Sequence, residues 1–265
     1  MVNGMEFFRK KFRDYPDCYT VIGGTACDIL MTQADMPFRA TKDIDMILIL
    51  EDRYREFASV FWDFIREGGY RCGWKNSECV HFYRFTEPKS GYPAQIELFS
   101  RKPDYHLEIN DGIIPIHIQE DVSSLSAILL NEDFYRFMLA GRRQVDGISV
   151  LDASYLIPFK MFAWIDLTDR KARGEHVNER DLKKHKNDVF RLLEIVPNDA
   201  VVPVSGMVSD CVCIFLDRIQ SEEISLSQLG LSMEKDEAIA LLKAVYPVEE
   251  GGYDDVTLRS SSQVK

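Results

Sequence analysis

The sequence contains no run of 18 apolar residues, the length a helix needs to cross a bilayer, so no membrane span is expected. Its first residues, MVNGMEFFRKKFRDYPD, lack the apolar stretch of a secretory signal, and the expectation is a cytoplasmic protein. Cysteine is sparse and scattered: Cys18, Cys27, Cys72, Cys79, Cys211 and Cys213 form no CxxC pair. Cys211 and Cys213 stand too close for an easy mutual disulfide and have too few partners for zinc. Reduced, buried thiols are therefore expected. Positive charge is short as well. Against 43 acidic residues stand 32 basic ones, a formal charge of -11, which disfavours sequence-blind binding to a nucleic-acid backbone. His81, His106 and His117 lie in strand-like segments without ligand spacing, so structural roles are expected for them.

What remains is the composition of an ordinary soluble chain, 46% hydrophobic and 28% charged over 265 residues, enough to bury a sizeable core. Phe7, Phe8, Phe12 and Tyr15 recur at helical spacing and form a candidate buried stripe. CYTVIGG reads as a short strand ending in glycine, with a helix over 25–34 and a loop at ADMPF. DIDMILIL is an aliphatic strand. EDRYREFASVFWDFIREGG carries Tyr54, Phe57, Phe61, Phe64 and Ile65 on one helical face and stops at Gly68-Gly69. VHFYRF and PAQIELF, joined by the turn-like EPKSGY, suggest a hairpin, and HLEI and IIPIHI are weaker strand candidates.

From residue 123 the pattern turns helical, with segments at 123–141, around SYLIPFKMFAWIDL, through DLKKHKNDVFRLLEIV, and at 204–220 and 233–245. Between the first two of these, DGISV reads as a brief extended piece. The fold class is α/β (α+β): a small mixed-sheet α/β domain over 1–150, a helical domain over 151–248, and a loose polar tail over 249–265.

The chemistry sits in two short strings. Asp43 and Asp45 are two apart on a strand and so present their carboxylates together. Two such acids at the head of a buried strand cost free energy unless a cation offsets them. Oxygen ligands alone suit Mg²⁺ (or Mn²⁺), and Glu97 in QIELF is the candidate third metal-ligating acid. Gly23 and Gly24, opening a helix, let backbone amides approach a phosphate, with Thr25 adding a hydroxyl. Metal at one strand head and a phosphate cradle at its neighbour describe a site for a nucleoside triphosphate. Arg39 is a candidate phosphate contact. Lys160 lies on an otherwise apolar helix, where either a triphosphate contact or snorkelling to solvent accounts for it. Lys183, Lys184, His185 and Lys186 read as a solvated helix face.

The string IGGTA…RATKDIDMIL…QIELF resembles the nucleotidyltransferase superfamily of the DNA polymerase β-like type, whose motifs are hG[GS], [DE]h[DE]h and a later strand acid. Within it the chain is most similar to AbiEii-type nucleotidyltransferases of bacterial abortive-infection and toxin–antitoxin systems. The likeness spans roughly residues 19 to 195. It implies Gly23 and Gly24 as the glycines, Asp43 and Asp45 as the metal pair, and Glu97 as the third acid. Lys160 matches the helix lysine, and Lys186 and Asp188 approximate a later Lys-Asp element. Two departures stand out. Eighteen residues separate Gly24 from Asp43, so TQADMPF reads as an inserted loop, and the third acid is Glu where Asp is commoner.

The resemblance thus implies an enzyme that moves a nucleoside monophosphate from an NTP to an acceptor, with the nucleotide between the two domains. The acceptor is open among a tRNA end, a protein hydroxyl and a small alcohol. The alternative is a non-catalytic module on the same fold that binds nucleotide or a partner protein and transfers nothing.

Overall fold

The computed structural model describes residues 2–49, 53–72, 84–99, 107–109, 112–114 and 131–248. The expected helix start at 123–130, the tail at 249–265, Cys79 and the three strand-like histidines lie outside them. The fold class is mixed α/β followed by helices, and the chain divides into two compact units. One comprises Met1–Val122 and Arg142–Asp152; the other comprises Ser123–Gly141 and Ala153–Lys265.

In the first unit, α1 (Met5–Phe12), β1 (Tyr19–Ile22), α2 (Gly23–Gln33), β2 (Asp43–Leu48) and α3 (Tyr54–Gly68) follow in order. Then come β3 (Arg71–Cys72), β4 (Arg84–Thr86), β5 (Gln95–Phe99) and a separate antiparallel pair, β6 (Leu107–Ile109) and β7 (Gly112–Ile114). A hairpin of β8 (Arg142–Val145) and β9 (Ile148–Leu151) completes the unit. Seven strands form one sheet in the order β3-β4-β5-β2-β1-β9-β8. The β2/β5 and β1/β9 pairings are parallel and the rest antiparallel. The hairpin turns at Asp146 and Gly147, both with positive φ (49° and 80°), as a two-residue I′ turn requires.

Aromatic rings fill the core of this unit. Phe8 and Phe12 of α1, Tyr19 of β1, Phe57, Phe61 and Phe64 of α3 and Phe85 of β4 are fully buried. Phe12 packs 5.2 Å from Phe64, and Phe61 lies edge-on to Phe85 at 5.5 Å. Each such burial contributes roughly 2 kcal/mol. The expected stripe of α1 is narrower than predicted: Met5, Phe8 and Phe12 are buried, but Phe7 is 53% exposed and stacks on Tyr92. A residue one step from Phe8 is turned about 100° away, beyond the edge of a single buried face.

The helical unit holds α4 (Glu132–Ala140), α5 (Ala153–Ala172), α6 (Glu179–Leu193), α7 (Gly206–Ser221), a 3-10 turn at Ser227–Leu229 and α8 (Lys235–Val245). Asn131 caps α4, its side chain accepting from the amides of Asp133 and Phe134. Helix α5 is buried on all sides from Leu156 to Ile165, as a central core helix must be. Pro158 lies inside it and has no amide for the carbonyl of Ser154. The hydroxyl of Tyr246, itself fully buried, donates to that carbonyl instead.

Cys18, Cys27, Cys211 and Cys213 are buried thiols outside any disulfide. Burial, with help from the Asp17 charge, raises the Cys18 thiol to about 11. No helix among the described residues is long and apolar enough to cross a membrane.

Candidate active site

Strand β2 carries Asp43 and Asp45 in the middle of the sheet. It pairs antiparallel with β1, which sets Ile22 opposite Asp45. It pairs parallel with β5, which sets Gln95 opposite Asp43 and Glu97 opposite Asp45. Strand β5 in turn pairs antiparallel with β4, so that Arg84 faces Glu97 and Thr86 faces Gln95. In-register residues on neighbouring strands share a face, as do residues two apart on one strand. Two rows therefore cross the same face of the sheet: Thr86, Gln95 and Asp43, and beside it Arg84, Glu97 and Asp45. All three predicted acids occupy that face, with Asp45 and Glu97 on backbones about 4.8 Å apart. Asp43 is exposed, while Asp45 is partly covered.

Helix α2 begins at Gly23 rather than at the predicted residue 25, so both glycines belong to its first turn. The first four amides of a helix have no partner within it, and here the first two belong to residues without side chains. Gly23 has φ +68°, and a methyl group there would collide with the Asp45 Oδ2 atom. The Asp45 carboxylate thus lies against the start of α2. Over Gly24 sit Thr41, whose Oγ1 would be 2.9 Å from an added methyl, and the Arg39 Nη2, at 3.4 Å. The Arg39 guanidinium also covers the Phe38 ring, 4.9 Å from its centre. Thr25 is fully buried, and its hydroxyl donates to the backbone carbonyl of Asp43. It ties the first turn of α2 to the head of β2 and so positions the strand that carries the acids.

These contacts make Gly23 a sensitive position. Gly23→Ala is expected to cost about 2 kcal/mol or more, from backbone strain and displacement of Asp45 together. Gly24→Ala, free of the positive φ, should cost less. Denaturant titration of the two variants side by side checks the order.

An oxygen-only donor set of this kind suits Mg²⁺ or Mn²⁺. Asp43 and Asp45 fit such an ion: they share a face, and the glycine turn leaves room for Asp45. Asp45 and Glu97 are both already engaged within the protein. Arg84 Nε and Gln95 Nε2 each donate to Glu97 Oε1 at 2.7 Å. Among the described residues, no three His, Cys, Asp or Glu side chains converge as a metal-holding group. The arrangement is a carboxylate pair with the third acid beside it and ion-paired.

Lys160 lies in the helical unit, where it is 3% exposed. Its Nζ is 3.2 Å from Asp188 Oδ2, and Asp188 is fully buried with Arg191 3.7 Å from its other oxygen. Lys186, expected on a solvated face, is instead buried and paired with Glu222 at 2.6 Å. The reversal follows from the phase of α6: Lys186 and Val189 are three apart, and the stripe that buries Val189 carries Lys186 under with it.

Arg84 and Gln95 are the site residues that sequence reading leaves out. The signal was present in the predicted hairpin, but its register was needed to place Arg84 against Glu97.

No family model matches this sequence, and no curated protein matches it. Among solved structures it is similar to the crystal structure of an antigenic nucleotidyltransferase-like protein from Paracoccidioides brasiliensis. The two share 13% identity over 91% of this chain and 90% of that one, with a TM-score of 0.49. A similarity of that size assigns neither a family nor an activity.

Proposed function

We propose that the protein is a divalent-metal-dependent nucleotidyltransferase of the AbiEii-like kind, acting in a bacterial abortive-infection or toxin–antitoxin setting. One observation carries this reading: Glu97 stands in register beside Asp45 on the face that Asp43 shares, and the Asp45 carboxylate rests on the glycine turn opening α2. Three acids on one face of a strand pair favour a divalent cation there, with Arg84 offsetting part of their charge.

Asp43 and Asp45 would hold a divalent ion, which when bound would acidify an acceptor hydroxyl and offset phosphate charge. Gly23 and Gly24 let the first amides of α2 approach the phosphates, and Arg39 adds a cation beside them. Glu97 takes the proton of the acceptor hydroxyl. The hydroxyl oxygen then bonds to the α-phosphorus as the bond from that phosphorus to the bridging oxygen breaks, and pyrophosphate leaves.

The second reading, a module that binds nucleotide or a partner protein without transfer, draws on the Arg84–Glu97 ion pair, which neutralises the third acid. Calorimetry with ATP, GTP, CTP and UTP separates the two. Mg²⁺-dependent binding, followed by labelling of an acceptor in lysate from the matching α-labelled NTP, supports the transferase. Binding without label transfer favours the module, and no binding of any nucleotide removes the proposal.

A further inference from the structure

We propose that the cleft between α1, the end of α2 and the β8–β9 turn binds a free apolar α-amino acid, a zwitterion with a short branched chain. The proposal goes beyond the transferase reading and uses none of its residues. All three elements belong to the first unit, and the cleft between them encloses about 120 Å³. It takes in the last turn of α2, about 15 Å along the helix from Gly23 and Gly24.

The lining of the cleft has an apolar side and a charged one. Met5, Val145 and Ile148 are buried, Ile29 is half-buried, and together they make the apolar side. An apolar cavity of about 150 Å³ takes up benzene, so this smaller one suits a branched chain of about four carbons. Arg9 and Asp146 supply the charges. The Arg9 Nε is buried and has no hydrogen-bond partner among the described residues. Its Nη1 meets Glu6 at 3.5 Å, but that carboxylate is 76% exposed and holds the guanidinium weakly. A buried donor without a partner costs free energy, which an acceptor on a ligand recovers. Gln33, also in the lining, accepts at Oε1 from Arg143 Nη2 at 2.7 Å, which leaves its amide nitrogen as a second donor.

Asp146 is an exposed carboxylate at the hairpin turn and forms no ion pair among the described residues, with Arg9 or any other cation. A ligand carboxylate alone would meet Arg9 but be repelled by Asp146, and an amine alone would be repelled by Arg9. A zwitterion bearing both charges on one carbon, with an apolar chain behind them, matches every part of the lining.

L-leucine, titrated calorimetrically into the full chain, tests the site without nucleotide or metal. Wild type should bind it and melt several degrees higher when saturated. Isocaproate, which lacks the ammonium, and isoamylamine, which lacks the carboxylate, should each bind at least about tenfold more weakly. Arg9→Gln should weaken L-leucine about tenfold. Asp146→Asn keeps a residue suited to the positive φ of the turn. It should weaken L-leucine about fivefold yet tighten isocaproate, because the repelling charge is gone. The Asp43→Asn, Asp45→Asn double variant should bind L-leucine as wild type does, whatever becomes of its nucleotide binding.

The proposal is overturned if wild type takes up no L-leucine at millimolar concentration, or if Arg9→Gln and Asp146→Asn both bind it unchanged. Isocaproate binding as tightly as L-leucine overturns it too, since Asp146 would then recognise nothing. Should Arg9→Gln fail to fold, Asp146→Asn and the two analogues on wild type still decide.

Discussion

Replacing both Asp43 and Asp45 by asparagine should abolish Mg²⁺-dependent nucleotide binding and lower transfer by on the order of 10³-fold or more, the several kcal/mol that a metal supplies to such a reaction. The fold should survive. Asp43 is exposed at the head of β2, and the buried part of that strand begins at Ile44 and continues through Met46, Ile47 and Leu48. In metal-free buffer the double variant should melt at the wild-type temperature or slightly above it, because two neighbouring like charges are gone. Asparagine keeps the volume of each side chain and a carbonyl oxygen to rest on the start of α2, so packing against Gly23 is preserved. Calorimetry and a thermal melt of the same preparation decide the matter. A variant that binds nucleotide as tightly as wild type removes the acids from the mechanism, whereas one that unfolds shows that they serve the sheet.

The legible parts of this protein are those whose partners lie close in sequence. The 3.6-residue period of Phe57, Phe61, Phe64 and Ile65 announces α3, and the aliphatic run of DIDMILIL announces β2, whose Ile44, Met46, Ile47 and Leu48 are all buried. Asp43 and Asp45 stand out locally too, as two acids at the head of an apolar strand, and the structure sets them on one face of β2. The two-residue turn at Asp146-Gly147 is a hairpin signal by its chemistry, but DGISV by itself reads only as an extended piece and does not announce β8. Its strand Arg142-Arg143-Gln144-Val145 is an edge strand with polar residues to spare, so it lacks the apolar alternation that marks a buried one.

Other features depend on distant pairing. Strand β9 joins the sheet beside β1 through Val150 and Val21, more than a hundred residues apart in sequence, and no local pattern encodes that. The Arg84–Glu97 pair depends on hairpin register, in which a slip of one residue would send Arg84 to the opposite face. Lys186 misled for a complementary reason. In KKHK four polar residues look like one solvated surface, but a helix turns 100° per residue and takes one of the four under.

The buried pair of Lys160 and Asp188 should govern the stability of the helical unit. Both side chains are almost wholly removed from water, so each depends on the other to offset the loss of hydration. Asp188→Asn should cost about 3–5 kcal/mol, because the Lys160 ammonium is left in the core without its carboxylate. Lys160→Met should cost less, roughly 2–3 kcal/mol, since Arg191 remains 3.7 Å from Asp188 and is near enough to share its charge. Replacing both, as Lys160→Met with Asp188→Leu, should recover much of the loss, for both positions are buried and an apolar pair of similar volume needs no charge to offset it. Denaturant midpoints of the three variants give the coupling between the two sites, expected at 1 kcal/mol or more. Independent, additive effects would show that the ion pair contributes nothing beyond its separate side chains. The recovered double variant also bears on the triphosphate contact that the family resemblance implies for Lys160. If it folds and binds Mg²⁺-nucleotide with wild-type affinity, Lys160 serves the core; if it folds and affinity falls tenfold, the ammonium serves the nucleotide as well.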